Sequence, residues 1–201
     1  MIIATKNDKK LHELRRYLKG VKATAHSLKD LGKTPRIVEN GDTFKKNAIK
    51  KAVATSKFAD GLALADDSGL AVDMLGGEPG VKSARFAGPH KSNHDNNVKL
   101  LRLLEGAPLK KRTARFICAV AIADKGKVVK VIEEVCKGLI AFSIRGRHGF
   151  GYDSVFLMPK YNKTFGELGL KAKDRMSHRS KALKKARAFL RKYLSGRSAA
   201  G

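Results

Sequence analysis

The sequence has no tryptophan, only two cysteines in 201 residues, and 18 Asp and Glu against 43 Lys and Arg. Each shortage excludes something. Cys118 and Cys136 stand too far apart to form a metal-spaced pair or a disulfide framework, so free thiols in a reducing cytoplasm are expected. Aromatic residues make up 6% of the chain, too few to interleave the basic residues as a stacking platform for nucleic-acid bases. The longest apolar run, Phe116 to Ala123, cannot span a bilayer. The opening MIIATKNDKK passes from a short apolar stretch straight into polar residues, unlike a signal peptide. A soluble cytoplasmic protein with no membrane partner is expected.

What the chain has in abundance is positive charge. A net +25 predicts attraction to polyanions, whether nucleic acid, anionic lipid or nucleotide phosphates. The basic residues are spread along the chain instead of being gathered into an arm. Nucleic-acid binding is therefore expected to be only weak and non-specific.

The hydrophobic fraction of 42% supports an ordinary packed core, and the length suits one sizeable domain. Strand and helix patterns alternate. Met1 to Thr5 reads as a strand and Lys9 to Lys19 as a helix with Leu11, Leu14 and Leu18 on one face. A weak strand near Val21 to Ser27 comes next, then a helix that Thr43 can cap. Leu62 to Ala65 form a short buried strand and Asp95 to Leu104 a helix. A long hairpin turns at Asp124-Lys125-Gly126, and a Gly- and Arg-rich loop leads to a short strand and one final amphipathic helix. This is an α/β chain with a mixed sheet, ending in a frayed tail from Ser195.

Against the scarcity of acid, Asp66 and Asp67 stand side by side after an apolar run and before Ser68-Gly69. Read as a strand end meeting a turn, they lie where α/β sheets bind ligands. Such carboxylates suit Mg²⁺, with Glu39 as a third; equally, one Asp can cap the turn while the other faces solvent. The loop Thr5-Lys6-Asn7-Asp8-Lys9-Lys10 runs directly into a helix, whose N-terminus is either a phosphate seat or ordinarily capped by Asn7 or Asp8. GGEPGVKS, Gly76 to Ser83, nearly matches a P-loop, but Val81 replaces the glycine before Lys-Ser and that reading is rejected. His90 and His94 have helical metal spacing within a loop-like segment, and no metal is expected there.

Five segments in order carry a resemblance: ATKNDKKLHEL, ENGDTFKKNAIKKA, LADDSGLAVDMLGGEPGVKSARFAG, GFGYDSVF and KDRMSHRSKAL. From Ile2 almost to Leu194 the chain resembles the inosine/xanthosine triphosphate pyrophosphatases, which hydrolyse deaminated purine nucleotides. The resemblance implies an elongated mixed sheet flanked by helices, in two lobes (residues 1–194) with a central nucleotide cleft. It implies attack of water on the α-phosphorus, giving monophosphate and pyrophosphate, and a homodimer. Thr5, Asn7 and Lys10 look like the triphosphate loop, with Lys51 an added cation. Glu39, Asp66 and Asp67 look like the cluster holding Mg²⁺, with Asp67 as general base and Ser68 beside the substrate. Phe150, Gly151, Tyr152 and Asp153 look like the base-binding loop, completed by Lys173, His178 and Arg179. Two positions depart from the family pattern, which has glycine at Lys6 and proline at Ser154.

Overall fold

The structure, a computed structural model, describes residues 1–32 and 34–198. Seven strands form one mixed sheet in the order β2-β1-β3-β4-β5-β6-β7. They are β1 (Ile2–Ile3), β2 (His26–Ser27), β3 (Leu62–Val72), β4 (Thr113–Asp124), β5 (Lys127–Ile140), β6 (Phe156–Met158) and β7 (Lys163–Thr164). β1 runs parallel to both β2 and β3, in register Ile2 with Ala63 and Ile3 with Leu64, whereas β6 runs antiparallel to β5 and β7. The helices are α1 (Asp8–Leu18), α2 (Phe44–Phe58), α3 (Asn93–Leu103), α4 (Phe165–Met176) and α5 (His178–Ser198).

Local signals set most of these elements. Thr43 caps α2 by accepting the Lys46 amide at 3.1 Å. Ser92 and Asp95 form a reciprocal capping box at α3, and Thr164 and Glu167 another at α4. The expected hairpin is present, with Lys125 and Gly126 at positive φ joining β4 to β5.

Three expectations need correction. β3 is not a four-residue strand ending at Ala65; it continues through Asp66, Asp67, Ser68 and Gly69 to Val72. No turn forms there, because the carboxylates are compensated by distant cations and Gly69 serves packing. A β-carbon on Gly69 would collide with Ser83 Oγ. Ser83, the last residue of the rejected P-loop match, instead accepts the Leu70 amide at 2.9 Å and donates to Gly80 O at 2.6 Å. The single final helix is in fact two, divided where Ser177 turns extended (φ −68°, ψ 153°). Finally, α5 continues through Ser198, past the frayed end expected from Ser195, and residues 199–201 lie outside the described residues.

The chain divides into two compact units. One comprises, of the described residues, those within 1–67, 118–134 and 179–198; its core gathers Ile3, Leu14, Leu64, Val120, Ile122, Leu183 and Leu190. Cys118 lies in this core, and burial pushes its thiol pKa up to about 12. The other comprises residues 68–117 and 135–178, with Leu70, Leu100, Phe116, Phe156 and Phe165 at its centre and Cys136 also buried. There Phe116 and Phe156 tilt against each other at 4.4 Å between centroids.

Candidate active site

The first unit concentrates charge around β3. Asp66 is 1% exposed. Its Oδ2 lies 3.1 Å from Lys10 Nζ of α1 and accepts from Arg179 Nε of α5 at 3.3 Å. Arg179, itself buried, donates from Nη1 to Glu13 Oε2 at 2.9 Å. Lys10 and Glu13 sit one helical turn apart on α1, so a single helix face supplies a cation to Asp66 and an anion to Arg179. Burial by itself would raise the Asp66 carboxyl, but Lys10, Arg179 and Lys51 outweigh it and hold the group well below the usual carboxylate range.

Asp67 meets the opposite outcome. Burial raises its carboxyl above the ordinary value; Lys51 and Lys10 offset this only in part, and a hydrogen bond from Asn47 helps them. Lys51 Nζ lies 3.6 Å from Asp67 Oδ1 and donates to Glu39 Oε2 at 2.8 Å. Burial would lower the Lys51 ammonium, but Asp67, Asp66 and Glu39 raise it. Asn47 and Lys51 are four apart on α2, a spacing that puts both on one face. The unit thus holds one carboxylate kept ionised and, next to it, one whose proton affinity burial raises.

Three carboxylates were expected to share a metal. Among the described residues no group of three His, Cys, Asp or Glu side chains gathers closely enough to hold one. Lys51 stands between Glu39 and Asp67, and Asp66 is engaged by Lys10 and Arg179. Each of the three carboxylates is thus engaged by a cation, and any one or two of them could serve as hard oxygen donors. That fits the habit of Mg²⁺, which takes one or two protein carboxylates and completes its octahedron with substrate phosphates and water.

The loop before α1 is ordered by its own side chains. Asn7 caps the helix by accepting the Lys10 amide at 3.1 Å, and its amide donates to Thr5 Oγ1 at 3.2 Å. The ordinary cap is therefore in place, at a helix start whose opening amides still favour an anion. Lys6, Asp8 and Lys9 are exposed, and Asp8 pairs with Lys29 at 2.8 Å.

The second unit holds the other predicted group. Asp153 Oδ2 accepts the Phe150 amide at 2.7 Å and Lys173 Nζ at 2.6 Å, closing the turn Phe150-Gly151-Tyr152-Asp153. Lys173 also lies 4.7 Å from the Phe150 ring centroid. Gly149 precedes this turn at φ +84°, where a β-carbon would strike Asp153. Tyr152 faces inward instead: it is 4% exposed, its hydroxyl donates to Ser83 O at 2.8 Å, and burial pushes its pKa upward. Gly151 O and Ser154 Oγ both receive Asn97 Nδ2 at 3.1 Å, so the serine at the departing position takes a hydrogen bond that proline could not offer. His178 stacks on Phe116 with 4.7 Å between centroids. Ser68, on β3, is half-buried. Arg179 was grouped with the base loop from sequence; its contacts are with Asp66 and Glu13 of the first unit. Glu13 and Asn47 were not singled out from sequence, although their spacing from Lys10 and Lys51 was the available signal.

The model of the Ham1 family matches residues 1–189. The chain belongs to the Ham1 family. It is 48% identical to a dITP/XTP pyrophosphatase of Desulforamulus reducens over 94% of each chain. It is 44% identical to that of Bacillus subtilis over 94% of this chain and 96% of the relative. Among solved Ham1 structures, the protein from Coxiella burnetii superposes with a TM-score of 0.87 at 35% identity, covering 94% of this chain and 96% of its own. The mixed seven-stranded sheet flanked by helices is thus the Ham1 fold.

Proposed function

We propose that this Ham1 protein hydrolyses deaminated purine nucleoside triphosphates, namely ITP, dITP and XTP, to the monophosphate and pyrophosphate, and so cleanses the nucleotide pool. The observation that carries the reading is the contrast between Asp66, held ionised, and Asp67, raised by burial beside Lys51. A base needs a proton affinity matched to its task, and burial shifts Asp67 in that direction while the surrounding cations shift Asp66 away from it. Curated relatives with this activity over nearly the whole chain support the same reading.

In this mechanism Asp67 accepts the proton of the attacking water as oxygen bonds to the α-phosphorus and the bond to the pyrophosphate oxygen breaks. Lys10, Lys51 and the opening amides of α1 receive the triphosphate charge. From Glu39, Asp66 and Asp67 would come the carboxylates that hold Mg²⁺, which when bound neutralises charge on the phosphate oxygens and lowers the pKa of water. Arg179 positions Asp66, and through it Lys10, without touching the reacting atoms. Phe150, Asp153 and Lys173 select the base: Lys173 is an obligate donor that satisfies a C6 keto oxygen and opposes an amino group. Homodimerisation and a cytoplasmic setting belong to the same proposal and rest on the family resemblance and the reduced cysteines. Among the described residues no helix is long and apolar enough to cross a membrane.

The test is incubation with Mg²⁺ and a panel of nucleoside triphosphates, with identification of the products. Pyrophosphate released from ITP and XTP in preference to ATP is expected. Orthophosphate as the first product, or equal use of ATP, would refute the proposal.

A further inference from the structure

From Arg175 to its last residue the chain contains no Asp or Glu. α5 buries Ala182, Leu183, Ala186 and Leu190 in the core of its unit. With about 100° between successive residues, its opposite side carries exposed Lys184, Lys185, Arg191 and Lys192 as an outward stripe, flanked by half-buried Lys181 and Arg187, over a length of about 17 Å. Lys185 pairs with Glu134 of β5. Arg187 Nη2 lies 3.4 Å from where a β-carbon on Gly20 would stand, so exposed Lys19 at the end of α1 adjoins the stripe.

Helix formation does not account for this pattern. Lys181 with Lys184 and Lys185, Lys184 with Arg187, and Arg187 with Arg191 are like charges three or four apart, an arrangement that destabilises a helix. Cations in the last turn suit the helix dipole, but Lys181 near the N-terminus opposes it. Nor does the proposed hydrolysis use any of the six. A polyanion lying along the stripe would convert these repulsions into attractions.

The kind of polyanion follows from the aromatic residues. Phe189 of α5 packs against the core and stacks on Tyr193 at 5.5 Å, and the Tyr193 hydroxyl donates to Asp124 at 2.9 Å. They are not set out as a platform for unpaired bases, which single-strand binders require. A row of cations without stacking aromatics matches the phosphate backbone of a duplex. We propose that the outward stripe of α5 is a docking surface for the backbone of double-stranded DNA, independent of its sequence and sensitive to salt.

The test is fluorescence anisotropy of a labelled DNA duplex against the full chain, with salt varied from about 50 to about 200 mM. Three proteins are compared: wild type; Lys184→Gln/Arg191→Gln/Lys192→Gln; and a control of equal charge change in the other unit, Lys110→Gln/Lys111→Gln/Lys137→Gln. All six positions are exposed, and thermal melts confirm that the variants fold. Loss of three phosphate contacts should flatten the slope of log affinity against log salt by about 3 and weaken low-salt binding at least about tenfold. The control should change binding less than about threefold. Equal loss in both variants, no duplex binding by the wild type, or anionic phosphatidylglycerol vesicles depending on the stripe while duplex DNA does not, would each overturn the proposal.

Discussion

Asp66 and Asp67 are consecutive residues of one strand, yet their carboxyls are shifted in opposite directions. Successive strand residues point to opposite faces, so neighbours in sequence need not share an environment. Asp66 turns to Lys10 and Arg179 and stays ionised, whereas Asp67 turns to Lys51 and Asn47 and is dominated by burial. The repulsion that adjacency threatens is thereby relieved without a turn.

Asp67→Asn is expected to lower kcat by about 10²–10⁴, since an amide cannot accept the water proton. Circular dichroism should show the fold intact. Chelating Mg²⁺ should stop the wild-type reaction; turnover that continues in excess chelator excludes the metal from the reaction.

The two aspartates should also differ in stability. In metal-free protein, Asp66→Asn leaves Arg179 and Lys10 facing an amide deep in the unit, a break that costs about 3–5 kcal/mol. Asp67→Asn removes a carboxylate that burial disfavours, so it should be neutral or mildly stabilising at pH 7. Urea unfolding of both variants decides this, and equal losses would refute the asymmetry.

The pH dependence follows the same signs. A carboxyl lowered in the folded state stabilises above its unfolded pKa, and that stability is lost as pH falls through the folded value. The Asp66 contribution is therefore complete above the ordinary value of 3.8 and disappears only in stronger acid. Asp67 is raised, so its protonated form is favoured by folding and its contribution diminishes as pH rises through the folded value. Unfolding free energies of wild type and Asp67→Asn should converge toward pH 3.8 and separate above it, with the wild type the lower. The acid limb of kcat/KM, which reports the free enzyme, should lie above that of an ordinary aspartate.

Glu13→Ala removes the second partner of the buried Arg179 guanidinium and should cost roughly 1–3 kcal/mol. Glu13→Gln keeps an acceptor and should cost less. If Arg179 positions Asp66, Glu13→Ala also lowers kcat while the preference for ITP over ATP stays as it was. A change confined to base preference would return Arg179 to the base pocket.

Substrate choice should rest on Lys173. Sites that hydrogen-bond a particular group reject analogues lacking it by as much as about 10⁴-fold. ITP, dITP and XTP are expected far ahead of ATP, with GTP poor because of its 2-amino group. Lys173→Met should narrow the gap between ITP and ATP in kcat/KM, and an unchanged ratio would remove Lys173 from that role.

How much was legible depended on how local the cause was. The cap at Thr43 and the turn at Lys125-Gly126 are written within a few residues and were read correctly. The length of β3 was not legible, because the cation that lets Asp66 continue the strand stands 113 residues away at Arg179. The division between α4 and α5 was missed because the basic, periodic pattern runs straight across Ser177. Motif order brought Lys10, Lys51, Asp66 and Asp67 to attention. It did not reveal that Lys51 would sit between Glu39 and Asp67, since charge pairing is a property of three dimensions.

The two cysteines have a practical consequence. Both thiols are buried and the Cys118 sulfur resists ionisation, so native protein should react with neither Ellman's reagent nor maleimide. A single cysteine introduced on the surface, in place of Lys110 or Lys192, would then be the one attachment point for a dye. The wild-type chain is its own blank for labelling.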